Sequence, residues 1–486
     1  MEAPSVSDET HTAENPATFR EVFATREFRF LFASMSLSWI GDYIAKAAVT
    51  VLVYSETESV ALSAAAFAIS FLPWLVGGPL LSTVAERYPY HRVMITTDLI
   101  RMVLIGLVAL PGLPVWAMLA LLFCATLASP PNQAARSALM PTVLTGDRLI
   151  VGLSLNASTA QLVQVGGYVA GAAIASANPR AALVVNAVTF AASALAIRLG
   201  IQPRPAASAP ERRQPLLRET ADGFRLVWRT DVLRAIAILV CSVPLFAIVP
   251  EGLAAAWADQ PGISDSERGL AQAMIMAASP AGYILGGLII GRFVRPDRRR
   301  RLIRPFAVLA PVALVPTLFD PSPPVVAALA GLCGFAVAGL LPVANGLFVR
   351  ALPHGYRARA FGVIATGMQL GQGAAVLITG LLADRFDIPT VVGIWSLAGA
   401  VVVSLLVLRW PSAERFDVAI AAVASAPAPD SAASSPAAGS APSSSAPSPG
   451  AGPAVPPARV GQPAHGSDQA DTDGTGQQPP SEVGRI

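Results

Sequence analysis

The chain has 486 residues, 53% of them hydrophobic and only 13% charged, with a formal net charge of +3. Soluble chains usually carry about 25% charged residues, so this composition excludes an ordinary soluble protein. A single lysine, Lys46, follows Ala45 inside an apolar run, which excludes a nucleotide-binding phosphate loop, since that loop needs a lysine after glycine.

Residues 1–18 are acidic and polar with no basic stretch ahead of an apolar core, so no cleaved signal peptide is expected, and 1–27 reads as a cytoplasmic N-terminal segment. About twelve apolar stretches follow, each near the roughly 20 residues that cross a bilayer as helix. The first six are expected at 28–54, 60–85, 93–110, 115–135, 149–175 and 181–201. A polar segment, 202–231, then carries Arg204, Arg212, Arg213, Arg218, Arg225 and Arg229. The second six are expected at 232–256, 269–290, 302–318, 325–349, 361–383 and 391–408. Six-helix bundles are therefore predicted over 28–201 and 232–410, the build of transporters whose halves rock about a central site.

Arginines gather in alternate connections: Arg87 and Arg92, Arg136 and Arg148, the 202–231 linker, Arg292 to Arg301, and Arg350 to Arg359. That excess marks this face and both termini as cytoplasmic, with the Arg298 to Arg301 run meeting anionic lipid headgroups. Residues 411–486 are rich in Ala, Ser and Pro and read as a disordered cytoplasmic tail. Cys124, Cys241 and Cys333 each lie in an apolar span without disulfide or metal-ligand spacing and read as small core residues.

A charge at mid-bilayer costs at least about 3 kcal/mol, so ionisable residues inside the spans carry the sharpest signal. Asp42 lies on the order of 20 Å beyond Arg29 along the first helix, and Lys46 follows one turn later, spaced to pair with it. The two read either as a proton or substrate site or as a static ion pair, with Lys46 alternatively reaching the outer interface. Glu251 follows Pro250 in the seventh span, the pseudo-symmetric counterpart of the first. Either it shares a cavity with Asp42, or Pro250 and Gly252 break the helix and leave it in outer water. The amides Asn156, Gln161, Gln164, Asn186, Asn345, Gln369 and Gln372 line a pocket or bond helices to one another. Trp39, Tyr43, Phe71, Trp74 and Tyr168 pack either a flat ligand or the core. Histidines occur only in termini and loops, and no catalytic constellation is visible, so neither enzyme chemistry nor a cofactor or metal is expected.

Several stretches share a pattern. Glu27 to Phe32 leads into Ser38-Trp-Ile-Gly-Asp42; Gly77 to Arg87 continues to His91 and Arg92; Asp98 and Arg101 follow; Ala135 to Pro141 precede the fifth span. Over roughly residues 19–410 these resemble the major facilitator superfamily, specifically its bacterial drug and siderophore exporter branch. The resemblance implies a cytoplasmic gate in which Glu86, Arg87 and Arg92 act with Asp98, Arg101 and Arg136 to latch the closed side. Glu86 stands where the family usually has aspartate, and Ser82 and Pro89 where it has glycine. In the fifth span Tyr168 occupies the proline position of the pattern associated with antiport, and Ala172 one of its glycine positions. Gly167 and Gly171 keep the small-residue spacing that allows close helix approach.

The expected fold is an all-α membrane protein of twelve transmembrane helices in two pseudo-symmetric bundles. The expected activity is that of a monomeric secondary transporter in the bacterial inner membrane. It would export a hydrophobic or amphipathic drug, siderophore or secondary metabolite by proton-coupled alternating access. Asp42 would couple, Lys46 would tune it, and Glu251 would supply a second carboxylate. Its partners would be the small-molecule substrate, the proton and membrane lipids, with no nucleic acid or nucleotide. Two rivals stay open: an importer or facilitator on the same fold, and a non-transporting membrane sensor or partner subunit.

Overall fold

In hydrocarbon every backbone N–H and C=O needs a partner within the chain, and a helix supplies all of them locally. The computed structural model describes residues 18–73, 88–204, 216–353 and 357–424, which are helical with no strand among them. Ten helical segments among these are long and apolar enough to cross a membrane. The second expected span begins as Val60–Ala68 and a 3-10 turn, Ile69–Phe71, before running out of the described residues. The third, Tyr90–Val108, is helical but carries Arg92, Asp98 and Arg101. Every one of the twelve expected spans thus falls on helix where it is described.

Prolines set the interruptions, because a proline lacks the N–H that an interior turn needs but fits a first turn. The fourth span, Val115–Leu127, breaks at Ala128 and resumes as Ser129–Val143 with Pro130 and Pro131 at its start. The seventh runs in three pieces, Asp231–Ser242, Pro244–Ala247 and Val249–Trp257, with Pro244 and Pro250 each in a first turn.

Small residues let helices approach backbone to backbone. A Cβ added to Gly171 would lie 2.8 Å from the Ile44 Cα, so Asp147–Ala177 lies directly on the first helix, Arg26–Thr57. Gly167 faces Tyr43 one turn away, where an added Cβ would come within 2.6 Å. In the second six spans, a Cβ on Gly282 would meet the Gly331 carbonyl oxygen at 1.9 Å, and one on Gly334 the Ser279 oxygen at 2.0 Å. Asp265–Phe293 and Pro323–Ala351 are locked together there.

The first six spans meet the last six chiefly where Asp147–Ala177 packs on Asp265–Phe293 and where Val60–Ala68 packs on Arg357–Ala383. At the end away from the arginine-rich connections these contacts are tight. The Ser59 hydroxyl and the Ala61 N–H donate to the Asp384 carboxylate at 3.1 and 3.0 Å. Asp384 thereby neutralises the first turn of Val60–Ala68, where unpaired N–H groups and the helix dipole favour an anion. The buried Gln272 amide donates to the Ala47 carbonyl at 3.0 Å, a second link across the same end.

Within the 202–231 linker lies a helix, Leu216–Arg229, whose Phe224 and Trp228 rings stack 5.2 Å apart. Two expectations need correction. The disordered tail does not begin at 411. Ala413–Ala424 is helical, with Phe416 buried beside Trp410 and Asp417 paired to Arg300, because this stretch still has apolar residues to bury. Residues 425–486 lie outside the described set. Cys124 is exposed instead of packed in the core, while Cys333 is buried.

Candidate substrate and coupling site

A cavity of about 400 Å³ runs between the spans, from Lys46 and Phe71 to Leu31, Met140 and Leu153 near the arginine-rich end. Asp42 and Arg101 form an ion pair in its wall. The Arg101 guanidinium also donates to the Ser38 hydroxyl at 3.3 Å and lies 4.1 Å from the centre of the Phe190 ring. Its side chain is only 5% exposed. Among the described residues the Arg101 guanidinium is thus engaged within the bundle, three turns into its helix and roughly 16 Å from the start. Glu86 and Arg87 lie outside the described residues, as does Trp74. Arg92 is exposed at the helix start.

Asp98 is fully buried one turn before Arg101. It accepts from Ser193 at 2.6 Å and Asn132 at 3.0 Å, and Arg136 approaches it to 3.7 Å. Arg136 also donates to Ser193 at 3.4 Å. The third, fourth and sixth spans are thus held by one internal network, and neither Asp98 nor Arg136 sits at a membrane surface. Among the described residues the Nε groups of Arg101 and Arg136 have no acceptor, and both arginines line the cavity.

Lys46 is not the partner of Asp42, contrary to the helical spacing. Arg101 reaches that carboxylate from another span, and a guanidinium fork suits it better than an ammonium does. The Lys46 ammonium instead lies 5.2, 5.3 and 5.8 Å from the ring centres of Tyr43, Phe71 and Phe67. Aromatic faces at this range attract a cation.

Glu251 is only 4% exposed, so the proline before it does not deliver it to outer water. The Tyr168 hydroxyl donates to it at 3.1 Å. It does not share the central cavity with Asp42. It lines a second cavity of about 220 Å³ together with Gln161, Gln164, Ser279 and Gln372. Gln372 donates to Gln369 at 3.4 Å, and Gln369 and Asn156 line the central cavity. Asn186 is buried and borders a small recess behind Asp42, Lys46 and Arg101. Asn345 lines none of these spaces. Beyond Gln272, a further cavity of about 400 Å³ holds Tyr54, Glu58, Asp259 and Arg268 at the opposite end.

A family profile for the Major Facilitator Superfamily matches residues 31–251 and 246–435. The chain belongs to the Major Facilitator Superfamily. This superfamily member is 21% identical over 373 residues to macrolide efflux protein A of Streptococcus pyogenes, covering 74% of this chain and 90% of that one. It is 25% identical over 224 residues to the multidrug efflux pump Tap of Mycolicibacterium fortuitum, covering 45% and 53% of the two chains. Among solved structures, the nucleoside transporter NupG shares its fold with a TM-score of 0.62 at 17% identity, over 79% of this chain and all of that one. The superfamily member is a multi-pass membrane transporter.

The roles of five polar residues of this major facilitator protein escaped sequence reasoning: Ser38, Asn132, Ser193, Gln272 and Asp384. Gln272 was visible as a lone amide inside an apolar run and could have been singled out on that basis, whereas Asn132 stands beside Gln133 in a polar, proline-rich stretch. Ser38, Ser193 and Asp384 carry no such signal, since serine is common in spans and Asp384 lies in a short turn.

Proposed function

We propose that this chain exports a hydrophobic or amphipathic small molecule across the bacterial plasma membrane in exchange for protons. It works as a monomer, with both termini cytoplasmic and with bundles 28–201 and 232–410 rocking about the central cavity. The observation that carries the reading is the Asp42–Arg101 pair in the cavity wall. The Asp42 side chain keeps 29% exposure to the cavity, so its free lone pairs stay reachable. A proton and a ligand donor compete for them. Exchange needs that competition, because each occupant must leave before the other binds. Arg101 holds the carboxylate in place, and Lys46 adds positive charge nearby.

The relatives named for macrolide and multidrug efflux support the outward direction. The cavity reaches the arginine-rich end while Asp384 and Gln272 close the other; with arginines inside, that is a cytoplasm-facing state. Closing the cytoplasmic end then falls to Glu86, Arg87 and Arg92, while Asp98 and Arg136 hold the spans behind it.

Accumulation of a fluorescent lipophilic dye tests the reading, in cells expressing wild type or Asp42→Asn, with and without a protonophore. Lower accumulation in wild type, lost with the substitution and with the protonophore, is the expected result. Equal accumulation in all four conditions removes broad proton-coupled export.

A further inference from the structure

Among the described residues, Asp42 pairs with Arg101 and Asp98 with Arg136, but Glu251 has no basic side chain in an ion pair with it. Its hydrogen-bond partners are neutral hydroxyls, those of Tyr168 and Ser279, and the Lys46 ammonium acts on it only through space, beyond the Tyr43–Tyr168 ring pair. A carboxylate buried inside the membrane with no cation hydrogen-bonded to it is costly. A proton or a bound cation at its oxygens offsets that cost.

The space beside Glu251 is built to receive more than a proton. Its volume of about 220 Å³ is bordered by the Gln161, Gln164 and Gln372 amides, the Tyr283 ring and Met368. Whole drug-sized ligands usually occupy about 300–1,000 Å³, so this space suits a head group and not an entire molecule. Aromatic and thioether side chains beside a carboxylate match a substituted ammonium, which needs neutralising charge together with soft, polarisable walls.

The central cavity has the opposite character. Among the described residues, Lys46, Arg101 and Arg136 line it against one carboxylate, that of Asp42. It repels a cationic head and offers donors to an oxygen-rich body. The two cavities share the helix Arg357–Ala383, through Gln369 in one and Gln372 one turn on in the other.

We propose that the Glu251 cavity is a binding subsite for the protonated amine or quaternary ammonium head of an amphipathic ligand. The inference rests on the transport function proposed above only in taking the ligand to be small and amphipathic.

The test uses purified full-length protein in detergent, titrated with ethidium, a permanent cation, and with N-phenyl-1-naphthylamine, a neutral dye. Glu251→Gln is expected to weaken ethidium binding at least about tenfold, equivalent to about 1.4 kcal/mol, while the neutral dye changes less than about twofold. Glu251→Asp, which keeps the charge, restores most of the ethidium affinity. Equal loss of both dyes means Glu251 holds the fold and overturns the subsite. Unchanged ethidium binding in Glu251→Gln, or none in wild type, overturns it too. Either of these with protonophore-sensitive efflux intact removes only the subsite, whereas lost efflux with selective ethidium binding removes only the proton coupling.

Discussion

Tyr43 and Tyr168 meet edge to face, 5.1 Å between ring centroids, and join the only lysine to the buried Glu251. The Lys46 ammonium rests against one ring, and the hydroxyl of the other donates to the carboxylate. The pair belongs to different spans, packed where Gly167 gives Tyr43 room. Tyr168→Phe keeps the ring contact and removes a hydrogen bond to a charged group, worth about 1.5–3 kcal/mol. The free energy of unfolding in detergent is expected to fall by that amount. A variant as stable as wild type would mean that the hydroxyl contributes nothing to holding Glu251.

The Asp42–Arg101 pair is open to a double-mutant cycle with Asp42→Asn, Arg101→Gln and the two together. Arg101→Gln strands a carboxylate, Asp42→Asn strands a buried guanidinium, and the double variant strands neither. The coupling energy is expected at about 1–3 kcal/mol, with the double variant more stable than Arg101→Gln alone. Additive losses would show that the two side chains act independently.

Two glycines in one helix should answer differently to the same methyl group. Gly282 faces the Gly331 carbonyl, whereas an added Cβ on Gly287 meets nothing within 4 Å. Gly282→Ala forces two backbones apart and is expected to cost about 2 kcal/mol. Gly287→Ala should stay within about 0.5 kcal/mol of wild type. Comparable melting of the two variants would contradict the backbone-to-backbone packing of these spans.

Asp384 is placed to hold the far end shut. Asp384→Ala removes the acceptor for Ser59 and Ala61, a loss of about 0.5–2 kcal/mol by analogy with helix caps. The opened state should gain population severalfold. A reporter is Ala172→Cys in a background with Cys124, Cys241 and Cys333 replaced, since Ala172 is buried at this end beneath Gly269. Its labelling by a membrane-impermeant maleimide should rise when Asp384→Ala is added. Labelling that does not change would show that Asp384 does not restrain opening.

The spans were readable because hydrocarbon imposes one length and one secondary structure on each crossing. So was the presence of charge at Asp42 and Glu251, since an ionisable residue stands out in an apolar run. Partnership was not readable. Helical spacing assigned Lys46 to Asp42, yet the carboxylate went to Arg101, 59 residues away, and the lysine to three rings. Asp98 likewise takes its partners from two other spans. Neighbours in sequence compete poorly with groups that packing delivers at better geometry, and packing is decided by the whole bundle. The helix Ala413–Ala424 was hidden for a different reason: a few apolar residues ahead of a long polar run lower the contrast on which a boundary depends.

The placement of Lys46 has a practical side. With no other lysine in the sequence, the cavity wall holds the sole ε-amine of the protein. An amine-reactive reagent small enough to enter can acylate a side chain only there, and one too bulky to enter finds no lysine at all. Ordinary acylation chemistry thus becomes a gauge of the width of the passage, read from the mass of a single peptide.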